Sequence, residues 1–131
     1  MKPNYLILVF LTFFQLFVAC TSSGGADSIE AGRKNWEKFV SMHPQHTILD
    51  VRSNGEVAEG IIQGASVFID YNNPDFDKQI ATLDKGKIYV VYCRSGNRSA
   101  KAASIMKKNG FNHVFNLEGG ISEWDGQIST R

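Results

Sequence analysis

The segment Ile88-Tyr89-Val90-Val91-Tyr92 constrains the fold more than any other stretch of the chain. Five consecutive apolar residues, β-branched or aromatic, lie between an Asp84-Lys85-Gly86 turn and a polar loop. That pattern describes a strand covered on both faces, which belongs in the middle of a parallel sheet. Parallel neighbours need crossover connections, usually helical. A helix is predicted directly afterwards, over residues 99–108, with Ala102, Ala103, Ile105 and Met106 as its apolar residues. Lys107-Lys108-Asn109-Gly110 stops it, with bases in the last turn and a glycine to cap it.

The same alternation runs through the rest of the chain. Strands are predicted over 47–51, 65–69 and 113–117. A turn at Ser53-Asn54-Gly55 leads into a helical turn over 56–60. Asn72-Asn73-Pro74 precedes a helix over 75–83 with Phe76, Ile80 and Leu83 on one face. A further helix is predicted to begin at Ser28, burying Ile29, Trp36, Phe39 and Val40, and to stop at Pro44. A terminal helix is expected around Ile121 and Trp124, after Gly119-Gly120. Strands alternating with helices define an α/β fold with a mostly parallel sheet. In such sheets the site lies beyond the carboxyl ends of the strands, and Cys93 stands there.

The first twenty residues are of another kind. Lys2 is their only charge, and the 15 residues from Tyr5 to Ala19 are apolar apart from Thr12 and Gln15. The run is short for a bilayer span, which needs about 20 residues, but it suits an export signal. Phe17-Val18-Ala19-Cys20 resembles the lipobox of bacterial lipoproteins, with Phe17 where Leu is usual. The resemblance implies cleavage before Cys20 and a lipid on its sulfur; an uncleaved anchor with an incidental Cys is the alternative. Residues 1–19 are thus expected to be a signal peptide, 20–27 a flexible lipid-anchored tether, and 28–131 one domain. The protein is expected to be exported and held on a bacterial membrane, facing the periplasm or the exterior. No polybasic patch would add to the lipid. The 14 Lys and Arg nearly cancel the 13 Asp and Glu, which argues against nucleic-acid binding.

With Cys20 acylated, Cys93 is the lone thiol of an exported protein, either reactive or a buried inert hydrophobe. Its neighbours favour reactivity. Cys93-Arg94-Ser95-Gly96-Asn97-Arg98-Ser99 runs from a buried strand into a helix N-terminus, where free N–H groups and the dipole favour an anion. Arg94 and Arg98 add positive charge, Gly96 allows a tight loop, and Ser95, Asn97 and Ser99 add donors. Such surroundings lower a thiol pKa, so alkylation is expected to stay fast below the ordinary value of about 8.5.

This loop resembles the active-site loop of the rhodanese family. Asp50-Val51-Arg52 at a strand end, Glu59-Gly60-Ile61-Ile62-Gln63-Gly64-Ala65, and Asn116-Leu117-Glu118-Gly119-Gly120-Ile121 with Trp124 are also similar to family motifs. The resemblance covers about residues 40–126 and departs at Ile61, where His is frequent, and at Gln63, where Pro is common. It implies a single-domain, three-layer rhodanese-like sandwich and a sulfurtransferase. Cys93 would take sulfane sulfur from thiosulfate or a similar anionic donor as a persulfide. It would then pass that sulfur to cyanide or to a thiol acceptor, a protein among the possible ones. Loop N–H groups from Arg94 to Ser99 would cradle the persulfide, and Arg94 and Arg98 would bind the donor. Asp50 and Arg52 are expected to form a supporting ion pair. No metal or organic cofactor is implied, and we expect a monomer.

Two other readings stay open. One is a persulfide carrier or binding module serving a partner protein. The other is a phosphatase or arsenate reductase, although related cell-cycle phosphatases have a loop one residue longer between Cys and Arg. His43, His46 and His113 have no partner at a metal-ligand spacing and are read as structural or surface residues. Trp36 and Trp124 are assigned to the core, and Lys101, Lys107 and Lys108 to a solvated helix face.

Overall fold

A computed structural model describes residues 26–131. The expected signal peptide, Cys20 and most of the expected tether lie outside the described residues. Five parallel strands form the sheet, in the order β1 (Asp27–Glu30), β6 (His113–Glu118), β5 (Ile88–Tyr92), β2 (His46–Asp50) and β4 (Ala65–Phe68). The apolar run 88–92 is the central strand. Its alternating side chains explain why it must be apolar throughout. Tyr89 and Val91 enter one core with Leu49, Ala102, Ala103 and Met106, whereas Val90 and Tyr92 enter another with Phe39, Ile48 and Leu117.

Helices cover both faces, giving the expected three-layer α/β sandwich. α3 (Phe76–Ala81) and α4 (Asn97–Lys108) supply Phe76, Ile80, Ala102, Ala103 and Met106 to the first core; α1 (Arg33–Met42) supplies Phe39, Trp36 and Val40 to the second. His43 and His46 belong to this packing. His46 Nδ1 lies 2.7 Å from the His43 carbonyl, and the His46 ring meets Trp36 edge-on. His46 is the first residue of β2.

Three expectations are corrected. The helix predicted from Ser28 starts at Arg33. Residues 27–30 instead form β1, which pairs with β6 from Asp27↔Phe115 to Glu30↔Glu118. Ile29 fits the spacing of α1, but an edge of the sheet was available, and Ile29 packs there against the same core. Asp27, the second-last residue described before Ile29 and the last of the expected tether, is therefore in the sheet. The terminal helix is a single 3-10 turn, Gly120–Glu123, with Trp124 as its cap. Its N–H groups are spent elsewhere: Ile121 donates to the Cys93 carbonyl and Ser122 to the Arg94 carbonyl, both at 3.0 Å. Finally, α2 (Asn54–Ala58) begins earlier than expected, and β3 (Ile61–Ile62) pairs antiparallel with an unpredicted β7 (Ile128–Ser129).

Candidate active site

Cys93 follows β5 directly, and α4 begins four residues later at Asn97, two residues earlier than the sequence predicted. The chain makes this turn in very little space because Gly96 takes φ 99°, a left-handed conformation, as the N-cap of α4. The loop therefore curls around its own sulfur. Gly96 N–H donates to Cys93 Sγ at 3.2 Å, Ser99 N–H at 3.4 Å and the Ser99 hydroxyl at 3.3 Å. Cys93 is 1% exposed, and Ser99 is fully buried beside it.

Electrostatics follow from this geometry. Burial pushes the Cys93 thiol up, but the Ser99 hydroxyl, then the N–H groups of Ser99, Gly96 and Ser95, more than offset it, leaving the pKa lowered. The expected activation thus comes from hydrogen bonds at a helix N-terminus. The side chains of Ser95 and Asn97 stay at the exposed loop surface and do not reach the sulfur.

The structure separates the two loop arginines. Arg98, expected to bind the donor, forms a bidentate pair with Glu56: Nη1 to Oε2 and Nη2 to Oε1, both 2.8 Å. Glu56 also closes the N-terminus of α2. Its Oε2 accepts from Ser53 N–H at 3.1 Å while Glu56 N–H donates to Ser53 Oγ at 3.3 Å. Arg98's hydrogen bonds, against burial and with help from Ser53, hold the Glu56 carboxyl down at about 2. The guanidinium of Arg98 is therefore committed within the protein. Arg94 is exposed and makes no ion pair among the described residues.

Asp50 and Arg52 form the expected ion pair, and both are buried. Arg52 Nη2 reaches Asp50 Oδ2 at 2.7 Å, and Nε reaches Oδ1 at 3.0 Å. Two further donors of Arg52 go to the carbonyls of Gly60 (2.7 Å) and Glu56 (3.2 Å), tying the end of β2 to α2 and to the residue pair that follows it. Burial works against the Arg52 charge, and the hydrogen bond and charge of Asp50 outweigh it, so its pKa is raised. Burial, then the hydrogen bond and charge of Asp50, push the Tyr92 hydroxyl up as well. That hydroxyl accepts from Ile62 N–H at 3.1 Å.

Gly119-Gly120 acts through its backbone. A Cβ on Gly120 would overlap the Cys93 carbonyl and stand 2.6 Å from the Arg94 carbonyl. Asn116 lies below the loop, with Nδ2 3.5 Å from the Gly96 carbonyl. Sequence reasoning missed Ser53 and Glu56 as supports of the site, although Ser53-Asn54-Gly55-Glu56 does carry the S-x-x-E signature of a capping box, a readable signal for both.

A three-layer α/β domain with a thiol sunk among helix N-terminal donors, at the carboxyl end of its central strand, defines a cysteine-centred anion site. Residues 34–127 match the Rhodanese-like domain family, and the chain belongs to it. It is 41% identical over 84 residues to "Putative sulfurtransferase YtwF" of Bacillus subtilis, covering 64% of this chain and 78% of that protein. It is 34% identical over 77 residues to "Sulfurtransferase" of Allochromatium vinosum, covering 59% and 69%. The "tRNA uridine(34) hydroxylase" of Sinorhizobium medicae is 31% identical over 96 residues; the match covers 70% of this chain but only 30% of that longer protein. A rhodanese-like domain protein of Staphylococcus aureus superimposes with a TM-score of 0.67 at 26% identity, covering 80% of this chain and 98% of that one. A rhodanese-related protein of Thermoplasma volcanium gives 0.66 at 29%, covering 80% and 99%.

Proposed function

We propose that this protein is a sulfurtransferase that carries sulfane sulfur on Cys93. The observation that carries the reading is the set of donors, Gly96 N–H, Ser99 N–H and Ser99 Oγ, converging on one buried sulfur. These groups hold the thiolate that must attack, and the remaining N–H groups of the loop would receive the added sulfur. With thiosulfate, the simplest donor, the thiolate attacks the outer sulfur. A Cys93 S–S bond forms, the donor S–S bond breaks, and its electron pair leaves with sulfite. Cyanide or a thiol then removes the outer sulfur and restores the thiolate. Relatives named sulfurtransferase support this reading.

Intact mass spectrometry of the protein purified in detergent tests it. Incubation with thiosulfate is expected to add one sulfur on Cys93, and cyanide to remove it as thiocyanate. A reduced, folded protein that takes up no sulfur from any donor overturns the reading.

The anchoring is a second part of the proposal. Cys20 is the lipidated N-terminus after removal of residues 1–19, and the domain hangs from a bacterial membrane facing the periplasm or exterior. The Phe17-Val18-Ala19-Cys20 motif behind a 15-residue apolar run supports it. Cys20→Ser is expected to abolish both the lipid mass and the cleavage; an unchanged N-terminus in wild-type and variant protein would refute it.

A further inference from the structure

A pocket of about 290 Å³ opens beside the Cys93 loop, lined by four charged residues together with Ile121, Trp124 and Ile128. Its wall is continuous with the loop. Ile121 and Ser122, which line it, donate to the Cys93 and Arg94 carbonyls, and Arg94 itself is a lining residue. Four charged side chains reach the pocket: Arg52, Glu56, Glu59 and Arg94. Two of them are spoken for. Arg52 is bound to buried Asp50 at 2.7 Å, and Glu56 to Arg98 at 2.8 Å. Arg94 and Glu59 are exposed and make no ion pair among the described residues. Ile121, Trp124 and Ile128 line the same pocket, the last 51% exposed.

One unpaired cation and one unpaired anion lining the same pocket match a zwitterion better than a compact dianion. Thiosulfate would meet Arg94, but it would also meet Glu59, and Arg98 is held by Glu56. The volume lies just under the roughly 300–1,000 Å³ of ligand pockets, which favours a single amino acid over a large peptide. Resting on the sulfur-transfer reading above, we propose that the donor is an α-amino-acid persulfide, bound with its carboxylate at Arg94, its ammonium at Glu59 and its carbon chain against Ile121 and Trp124.

The step balances. The Cys93 thiolate attacks the outer sulfur of R–S–SH. The Cys93 S–S bond forms as the donor S–S bond breaks, and the departing R–S⁻ takes the persulfide proton. Cys93–S–S⁻ and R–SH result, without an external oxidant or reductant.

Sulfur loading of Cys93 can be timed by mass spectrometry with freshly prepared persulfides of cysteine, cysteamine and 3-mercaptopropionate, and with thiosulfate. Cysteamine lacks the carboxylate and 3-mercaptopropionate the ammonium. Cysteine persulfide is expected to load faster than each analogue by about fivefold, the size that one exposed ion pair supports. Glu59→Gln is expected to erase its advantage over 3-mercaptopropionate persulfide, to keep that over cysteamine persulfide, and to speed loading from thiosulfate. Arg94→Gln is expected to do the reverse with the two analogues. Equal loading by the three persulfides, or thiosulfate loading at least as fast as cysteine persulfide, overturns the amino-acid assignment and leaves sulfur transfer standing. No loading by any donor overturns both.

Discussion

Ser99→Ala isolates one of the groups that hold the Cys93 anion. The hydroxyl lies 3.3 Å from Sγ, while the Gly96 and Ser99 N–H groups, at 3.2 and 3.4 Å, belong to the backbone and survive the substitution. A hydrogen bond to a charged group contributes about 1.5–3 kcal/mol, and one pKa unit corresponds to about 1.36 kcal/mol. The lower part of that range applies, because two backbone N–H donors to Sγ remain. The thiol pKa is therefore expected to rise by about one unit, with burial now less opposed. The assay is the rate of alkylation by neutral iodoacetamide against pH. Below both pKa values the variant should react about tenfold more slowly, and on the alkaline plateau the two rates should converge. Ser95→Ala is the control, because Ser95 offers the sulfur only its backbone N–H; its profile should match the wild type.

Stability gives a second readout of the same group. The folded thiol lies below its unfolded value, so thiolate formation contributes stability that is complete above the unfolded pKa of about 8.5 and is lost as pH falls through the folded pKa. Ser99→Ala should shrink this alkaline gain in urea unfolding. An alkylation midpoint within a few tenths of a unit of the wild type would refute the assignment of Ser99 as an anion donor, even if the variant were otherwise folded and less active.

Two further substitutions probe the supports of the site. Glu56→Gln removes the charge that holds Arg98 and weakens the α2 cap, and should lower the unfolding free energy at pH 7 by about 1–2 kcal/mol. Because the Glu56 carboxyl sits at about 2, its contribution is whole above the ordinary carboxyl value of about 4.3 and lost as pH falls through about 2, so the gap between wild type and variant in urea midpoints should close over that interval. Asp50→Ala leaves Arg52 buried without its counter-ion and should destabilise by about 3–5 kcal/mol. Asp50→Ala with Arg52→Met should recover part of that loss in the same denaturation assay, and no recovery would show that the pair is not what sets the cost.

The parts of the molecule that were legible in the sequence are those coded within a few residues. The central strand, the loop and the helix after it are contiguous, and their apolar pattern, glycine and C-cap signals agree, so Cys93 could be placed at a strand end before its contacts were seen. The Asp50–Arg52 pair was legible for the same reason, the residues being two apart. What failed was long-range or ambiguous. Arg98 and Glu56 are 42 residues apart, and nothing near Arg98 reveals that its charge is already matched. Ile29 satisfies the spacing of a helix and the packing of a strand equally, and only pairing with β6 decides between them. β3 and β7 are two residues each, too short for any periodicity to show.

The Arg98–Glu56 pair also bears on which chemistry the loop can support. A phosphoryl or arsenate site needs a guanidinium facing the oxygens of a dianion at the end of the loop. Here that fork already meets a carboxylate with both of its nitrogens at 2.8 Å, and the same carboxylate caps α2. Freeing Arg98 would mean losing the bidentate pair and loosening the cap at once, with a second anion, Glu56, left facing the incoming one. A persulfide makes no such demand. Its charge is single and its added atom is one sulfur, so backbone N–H groups of the loop suffice for it and Arg98 can stay with Glu56. The shorter loop and the occupied arginine therefore both favour the proposed sulfur transfer over phosphoryl chemistry.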